Sequence, residues 1–469
     1  MIANCVWIAS LAVSPVAAQQ PSPPPGQLLT IGGALRSALQ ANPDLANASD
    51  LLLSARVSER GVASTFLPQV TPFFLTDRSR EEGLRSETYG VSASEQFSFG
   101  PLVEGISSMT HNPTDSPGTS YLSDYRLTLT QPLLRGADPA VTAEPLRQAR
   151  RSTLAQSRAV EITRRRTVLL VYQAYLGVAD QQEVRRIALG RVERAGKLTE
   201  FSRARFSAGS VSRLDVLRAE QQEASAVIAR NDAENLIEDL RDALRRSTGL
   251  PRDLEFSIAA PSELPVPEAD FEAALEGILD RRPEEQEARD QVTDAEFALR
   301  IARSMQLPSV LGVVSYETTG SGTRSSDAFR PRNPTLTFGL RSQYGLNGAQ
   351  LAAQRRAAEI TLGIRKRNLQ LLEDDLMREV RRAYRRLDSL KRNHEIAVEN
   401  RKVAELQAQV AQLRFEKGLS DNFNVVDAEN LLNSARLLEL DSRFAILLAR
   451  LDCLYSTGLL ETGPFLAQP

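Results

Sequence analysis

The strongest constraint on this chain is that it repeats itself. Shifts of 240 and 209 residues align matching residues of its two halves without gaps. The first shift pairs Leu67-Pro68 with Leu307-Pro308, and the second pairs Gly209 with Gly418. Fixed proline and glycine positions are not expected when two Ala-rich helices align by chance. We therefore interpret the chain as two copies of one unit.

The repeat divides the chain into predicted segments. An apolar run over 5–18 ends in Val16-Ala17-Ala18, a pattern typical of a signal peptide. No basic residue precedes Arg36, so either this leader is atypical or translation starts at another residue. In chain order we predict a signal peptide (1–18), a Pro-rich segment (19–28), a first repeat (29–249), a linker (250–269), a second repeat (270–458) and a tail (459–469).

The composition indicates long helices and excludes several functional classes. Aromatic residues make up 6% of the 469 residues, and 57 Lys and Arg residues are interleaved with 59 Asp and Glu residues. Such interleaved charges are not typical of a nucleic-acid binder. The cysteines are Cys453 and the leader residue Cys5, and His111 and His394 lie outside any motif. Because nucleophile motifs, phosphate loops and ligand clusters are lacking, we expect no enzyme activity, metal or cofactor.

Each repeat reads as an opening helix, strands, a very long helix, a tight turn and a returning helix. The opening helices, predicted near 31–65 and 270–305, end at the Leu-Pro pairs, because proline disfavours a helical conformation at the residue before it. A proline-free stretch of about 65 residues in each repeat predicts a helix of about 100 Å. The remaining predicted ranges are strands over about 66–134 and 308–346 and helical hairpins over about 142–248 and 349–457.

The strands have one apolar and one polar side. Tyr125, Leu127 and Leu129 alternate with Arg126 and Thr128. A half-buried sheet in a soluble protein would show the same alternation. In a secreted chain without 18 uninterrupted apolar residues, however, it favours a barrel with lipid outside and water inside. Four such strands are too few to close a barrel, so copies of the chain are expected to pair.

The chain resembles the TolC family of outer-membrane efflux proteins. The resemblance covers nearly the whole chain after the leader and depends on the order and duplication of its motifs. These are the opening Ala34-Leu35, Ala38-Leu39 and Asn42-Pro43, the helix end Leu67-Pro68, the stretch Gln131-Pro132-Leu133-Leu134-Arg135-Gly136, and the turns from Arg205-Phe206 to Gly209 and from Arg414-Phe415 to Gly418.

The resemblance implies a fold class, partners and a location. The fold is expected to be mainly α with membrane β-strands: a duplicated unit of a long helical hairpin plus a β-hairpin, in a trimeric α-helical tunnel with a shared 12-stranded β-barrel. The protein would lie in the outer membrane, contact its lipid and extend into the periplasm. It would export substrates delivered by an inner-membrane transporter through a periplasmic adaptor, without nucleic acid or cofactor. The alternative is a soluble periplasmic coiled-coil adaptor, which needs one hairpin and compact β domains.

The resemblance also implies functional residues at the two turns. The hairpin tips and adaptor contacts would be Gly209, Ser210, Val211, Gly418, Leu419 and Ser420. The periplasmic gate would be formed by Asp427, Asn424 and Asp215, with Asp427 repeated around the entrance. Two alternatives stay open: the glycines are ordinary hairpin turns, and Asp427 is a charge that favours the start of its helix.

The first repeat departs from the second in its strand region. Pro68 and Gly136 are 68 residues apart, whereas Pro308 and Gly348 are 40 apart. The extra residues include an alternating run at 91–99 followed by Gly100-Pro101. We expect an extra hairpin, which either widens the barrel or sits at its rim.

Overall fold

The computed structural model of the chain describes residues 27–78, 85–112, 120–251, 253–259, 275, 277–345 and 348–460. The predicted signal peptide lies outside these residues, as does most of the Pro-rich segment, linker and tail. The helices are α1 Ile31–Ala41, α2 Pro43–Ser64, α3 Pro139–Thr142, α4 Glu144–Ser207, α5 Arg213–Thr248, α6 Ile278–Arg281, α7 Pro283–Ser304, α8 Ser325–Ala328, α9 Ala349–Glu416 and α10 Asn422–Ser456. The strands are β1 Gln27–Leu29, β2 Gln69–Arg78, β3 Arg85–Gln96, β4 Leu102–Asn112, β5 Ser120–Pro132, β6 Phe256–Ile258, β7 Ser309–Gly322 and β8 Arg332–Gln343.

Six of these strands form one antiparallel sheet in the order β2-β3-β4-β5-β7-β8. The first repeat contributes four strands and the second contributes two, so the extra hairpin predicted near 91–99 lies within the sheet. Its strand β3 ends at Gln96, however, and Phe97 and Phe99 lie in the turn before β4. The prediction that these two phenylalanines continue the alternation is therefore wrong, because the chain reverses at Gly100, where φ is 129°.

Most of the large exposed apolar side chains of the sheet lie on one side. Residues directly opposite each other in neighbouring strands share a side. Leu127 lies opposite Tyr316, which in turn lies opposite Leu336. The large exposed side chains on this side include Val70, Phe74, Tyr89, Val91, Leu127, Leu129, Tyr316, Leu336, Phe338 and Leu340. The predicted separation into an apolar and a polar side is therefore present over most of the sheet, with Leu75, Ile106 and Leu122 as apolar residues on the polar side.

Two very long helices dominate the rest of the chain. Helix α4 has 64 residues and α9 has 68, close to the length that the sequence predicts. The opening helices, in contrast, are each broken in two: α1 ends before Asn42-Pro43, and α6 ends before Arg282-Pro283. The prediction of single helices near 31–65 and 270–305 is thus wrong. Proline lacks the N–H that an interior helical position requires and forces the preceding residue into an extended conformation.

These breaks are where the shorter helices stack end to end beside the long ones. In the first repeat, Asn42 Nδ2 donates a 2.7 Å hydrogen bond to the Ser247 carbonyl at the end of α5. At the equivalent position of the second repeat, Arg282 Nη1 donates a 2.9 Å hydrogen bond to the Ser456 carbonyl at the end of α10. Each break therefore satisfies a carbonyl that the neighbouring helix leaves without an intrahelical partner.

The main hydrophobic core lies beside these junctions. Tyr172 and Leu176 of α4 are buried there in one cluster with Leu35 of α1. Tyr175 places its hydroxyl 2.8 Å from the Ala259 carbonyl and 3.1 Å from the Leu29 carbonyl. It thereby fixes the short parallel pair of β1 and β6 to the long helix.

The structure also locates the remaining chemistry-bearing residues. Cys453 is a buried free thiol. His394 Nδ1 lies 2.8 Å from Ser442 Oγ, and His111 stacks on Tyr121, and both histidines are half-buried. Among the described residues, no cluster of His, Cys, Asp and Glu side chains could hold a metal ion. Within the same ranges, no helix is long and apolar enough to cross a membrane.

Candidate functional site at the hairpin tips

The first tip joins α4 to α5. Gly209 adopts φ of 70°, a left-handed conformation that residues with a Cβ resist. The Ser210 N–H donates to the Arg205 carbonyl at 2.8 Å, and the Gly209 N–H donates to the Phe206 carbonyl at 2.9 Å. These two bonds end α4 in a Schellman motif. Gly209 and Ser210 are exposed and Val211 is half-buried.

The second tip repeats this geometry between α9 and α10. Gly418 has φ of 71°, and the Leu419 N–H donates to the Arg414 carbonyl at 2.9 Å. Leu419 is 75% exposed. Ser420 beside it is half-buried. The two tips thus present an apolar side chain and accessible backbone at the same end of the hairpins.

Two of the predicted gate residues are used to begin helices. Asp215 forms a capping box with Ser212: its carboxylate accepts from the Ser212 N–H at 2.9 Å, and Ser212 Oγ accepts from the Asp215 N–H at 3.2 Å. At the equivalent place in the second repeat, Asn424 Nδ2 donates to Asp421 Oδ1 at 2.8 Å and to Ser420 Oγ at 2.9 Å. Both polar groups are therefore engaged locally within the protomer.

Asp427 lies one turn further along α10 and is exposed. Because residues three apart lie on the same side of a helix, it shares a side with Asn424. Neither residue is covered by another part of the protomer. This side of α10 is consequently free to face other copies or a lumen, whereas the opposite side packs through Val425 and Ala428.

The sequence did not single out the residues that hold the two tips together. Arg205 Nη1 donates a 2.7 Å hydrogen bond to the Phe415 carbonyl, and its guanidinium lies 5.2 Å from the centre of the Phe415 ring. Asn422 is fully buried, and its Nδ2 donates to the Asp215 carbonyl at 2.8 Å. Arg205 appeared in the sequence only as a residue that both repeats share, and nothing in the sequence indicated that it reaches the other hairpin.

Comparison with known proteins identifies the family of the chain. The family model for the outer membrane efflux protein matches residues 34–250 and 274–452, which is most of the chain. The chain belongs to the outer membrane efflux protein family. A sequence comparison with curated proteins gives no match.

Solved structures share the fold of this outer membrane efflux protein at low sequence identity. The outer membrane protein VceC of Vibrio cholerae is 16% identical with a TM-score of 0.71, over 91% of this chain and 96% of that one. The CmeC outer membrane channel of Campylobacter jejuni is 14% identical with a TM-score of 0.70, over 96% and 92%. The MtrE outer membrane channel of Neisseria gonorrhoeae, in its open state, is 17% identical with a TM-score of 0.66, over 91% and 88%.

Membership of the family establishes the class of function and the location. The outer membrane efflux protein is an outer-membrane channel subunit for efflux that extends into the periplasm. Its family is one of transport channels. The alternative of a soluble periplasmic adaptor is not favoured, since the chain has two equivalent hairpins and one wide sheet.

Proposed function

We propose that three copies of this chain form one export duct, which receives substrates from an inner-membrane transporter through a periplasmic adaptor. The sheets would form a shared barrel against outer-membrane lipid, and the hairpins would form the tunnel below it. Each copy would contribute two units, 29–249 and 270–458. The adaptor would meet the exposed tip residues Gly209, Ser210 and Leu419 and their neighbours Val211, Gly418 and Ser420.

This proposal rests on a contact between the two hairpins of one copy. The residues at the equivalent positions of the other repeat are exposed, so they could make the same contact with another copy. Within the protomer, α4 packs on the second hairpin: the Phe201 and Phe415 rings are 5.5 Å apart, and Arg194 Nε lies 2.9 Å from Glu429 Oε2. The equivalent positions of the second repeat lie 209 residues later. Val410 is equivalent to Phe201, and Val403 is equivalent to Arg194. Both valines are about half exposed on α9.

The complementary side is exposed on α5. The residues of α10 that meet the first hairpin include Phe423, whose ring lies 5.5 Å from the Arg218 guanidinium. Its counterpart in the first repeat is Leu214, which is exposed together with Leu217. Apolar side chains at heptad spacing on an exposed helix favour packing against another helix. The second hairpin of one copy would therefore pack on the first hairpin of the next, as the two hairpins pack within a copy.

Arg414 would complete this interface. It is the counterpart of Arg205, which holds the Phe415 carbonyl, and it is exposed in the protomer. The same geometry between copies would bring the Arg414 guanidinium to the Phe206 carbonyl of the next copy. A contact from each copy to the next closes into a ring when the rotation between copies is a simple fraction of a turn.

Cross-linking tests this arrangement. With Cys453→Ala as background, Val410→Cys and Phe206→Cys in one chain should be joined between copies by a short bismaleimide, giving covalent dimers and trimers on a denaturing gel. Each single-cysteine variant is the control and should stay monomeric after denaturation. Failure of the double variant to cross-link in the membrane, together with recovery of the wild type as a monomer, would contradict the proposal.

The gate would lie at the tip end of the tunnel. Asp427 is exposed one turn beyond Asn424, so three copies would place three carboxylates around the entrance. Neighbouring like charges repel one another and attract cations. Asp215 would contribute on the first hairpin, where its carboxylate already holds the start of α5.

A further inference from the structure

The sheet contains a hairpin that the second repeat lacks. Strands β3 and β4 lie between β2 and β5, and only β2, β5, β7 and β8 continue into the helices. The hairpin is not an appendage to one edge, because β3 pairs with β2 over ten residue pairs and β4 pairs with β5 over eleven. Removing it would divide the sheet in the middle.

Of the inserted strands, β3 has the same two sides as the rest of the sheet. Tyr89, Val91 and Ala93 of β3 share the apolar side with Leu127 through the intervening strand β4. Thr88, Ser92 and Ser94 lie on the polar side. A hairpin that stood in water above the barrel would not need an apolar side continuous with that of its neighbours.

The inserted strands also have the length of a spanning strand. Strand β3 has 12 residues and β4 has 11, and tilted membrane strands need about 9–11. Their connecting turn lies at the helical end of the sheet, where Gln96 Nε2 lies 3.0 Å from the Gly100 carbonyl and 3.1 Å from the Pro101 carbonyl. The hairpin therefore runs the full height of the sheet and returns through an ordered turn.

The two outer strands can pair with other copies. The six strands alternate in direction, so β2 and β8 run in opposite directions. The free edge of β8 in one copy can thus form an antiparallel ladder with β2 of the next. On the basis of the trimer proposed above, we infer that this channel has a barrel of 18 strands, six from each of three copies, with β3 and β4 as part of its wall.

The size of such a barrel agrees with that of the helical tunnel. A strand tilted by about 40° takes up about 6 Å of circumference, so 18 strands need about 110 Å. At most heights each copy contributes four helices, and 12 helices at about 9–10 Å spacing need about 110–120 Å. Twelve strands at the same tilt would need only about 75 Å. The additional hairpin thus lets the sheet close on the tunnel without a narrowing.

This width has a consequence for selection of cargo. Barrels of about 16–18 strands leave an open aqueous channel. Barrel width grows about linearly with strand number, so 18 strands give about 1.5 times the width of 12. The polar side of the sheet would line this channel. The barrel would therefore set no size limit, and the cargo would be selected at the tips.

Spin labelling in lipid vesicles tests the inference. With Cys453→Ala as background, a nitroxide is attached at Val91→Cys or Ser92→Cys, and at the matched controls Leu127→Cys and Thr128→Cys of β5. Collisions with oxygen dissolved in lipid should be frequent at positions 91 and 127. Collisions with a water-soluble nickel chelate should be frequent at positions 92 and 128.

Two outcomes would overturn the inference. One is equal access of the nickel chelate to positions 91 and 92 while position 127 stays in lipid, because a hairpin outside the wall is wet on both sides. The other is a count of 12 strands in an electron cryomicroscopy map of the assembly in lipid nanodiscs, where 18 are expected. Either result leaves the trimeric export duct intact. Access of the nickel chelate to position 127 as well, or a monomer in the map, would instead contradict the proposed function.

Discussion

The exposed carboxylate of Asp427 is the residue on which the proposed gate depends. We expect Asp427→Ala to make single-channel conductance in planar bilayers less sensitive to divalent cations added at the tip side, because carboxylate oxygens are the ligands that such ions prefer. Assembly should be unaffected, since Asp427 has no buried contact in the protomer. Asp427→Glu keeps the charge and should keep the cation block. An unchanged block in Asp427→Ala would move the constriction to Asn424, Asp215 or the tips.

Asp180 of α4 gives a prediction about pH. Burial, and secondly the charge of Asp441, raises its pKa to about 6. The folded protein thus binds this proton more tightly than the unfolded chain, whose Asp pKa is about 3.9. Stability from this group is therefore present at low pH and is lost as the pH rises from about 4 to about 6.

Replacing Asp180 with asparagine should remove this loss of stability at high pH. Asp180→Asn should raise the unfolding temperature at pH 8 by a few degrees and change it little at pH 4, as measured by circular dichroism during heating. The exposed residue Asp232 supplies the control, since Asp232→Asn should have little effect at either pH. A gain of the same size at both pH values would show that the carboxylate charge is not responsible.

At the scale of elements, the two helix junctions use different chemistry for the same purpose. Asn42 supplies a neutral amide, whereas Arg282 is buried and also lies 3.1 Å from Glu284 and 3.5 Å from Glu379. Hydrogen bonds of charged groups contribute about 1.5–3 kcal/mol, and those of neutral groups about 1 kcal/mol. Arg282→Met should therefore lower the unfolding temperature more than Asn42→Ala, as measured by the loss of helical circular dichroism on heating. Asn42→Ala also removes the N-cap of α2, where Asn42 Oδ1 accepts from the Asp44 and Leu45 N–H groups, so a loss equal to that of Arg282→Met would contradict this prediction.

The sequence predicted the elements whose signals are local. The long stretches without proline indicated α4 and α9, and the repeated glycines indicated both tips. The breaks at Asn42-Pro43 and Arg282-Pro283 were missed because the helical pattern continues across them, although both prolines were visible. The contact of Arg205 with Phe415 could not be predicted, because it joins residues 210 positions apart whose proximity depends on the packing of whole hairpins. The inserted hairpin was predicted, but its place in the sheet depends on pairing between distant strands.

At the scale of the whole molecule, stable association should be visible without any label. In one copy, the outer strands β2 and β8 each have an unpaired edge, and α5 and α9 expose apolar side chains. Other copies would cover these surfaces, so the assembly should persist in mild detergent. We expect the protein in the outer-membrane fraction, with the gel mobility of a trimer before boiling and of a monomer after boiling. Leu214→Glu should weaken the trimer, whereas the control Asp232→Glu, at another exposed position of α5, should not. A soluble monomer in the periplasm would contradict this expectation.

The short pairing of β1 with β6 governs the order in which the first repeat can be completed. Gln27 lies opposite Phe256, so the beginning of the described chain is secured by residues more than two hundred positions later. The entropy of closing so long a loop rises only slowly with length, but the contact itself cannot form until the later segment has been made. During synthesis, β1 therefore cannot pair with β6 until the whole of the first hairpin has been made. Strand β1 is thus among the last elements of its repeat to become ordered.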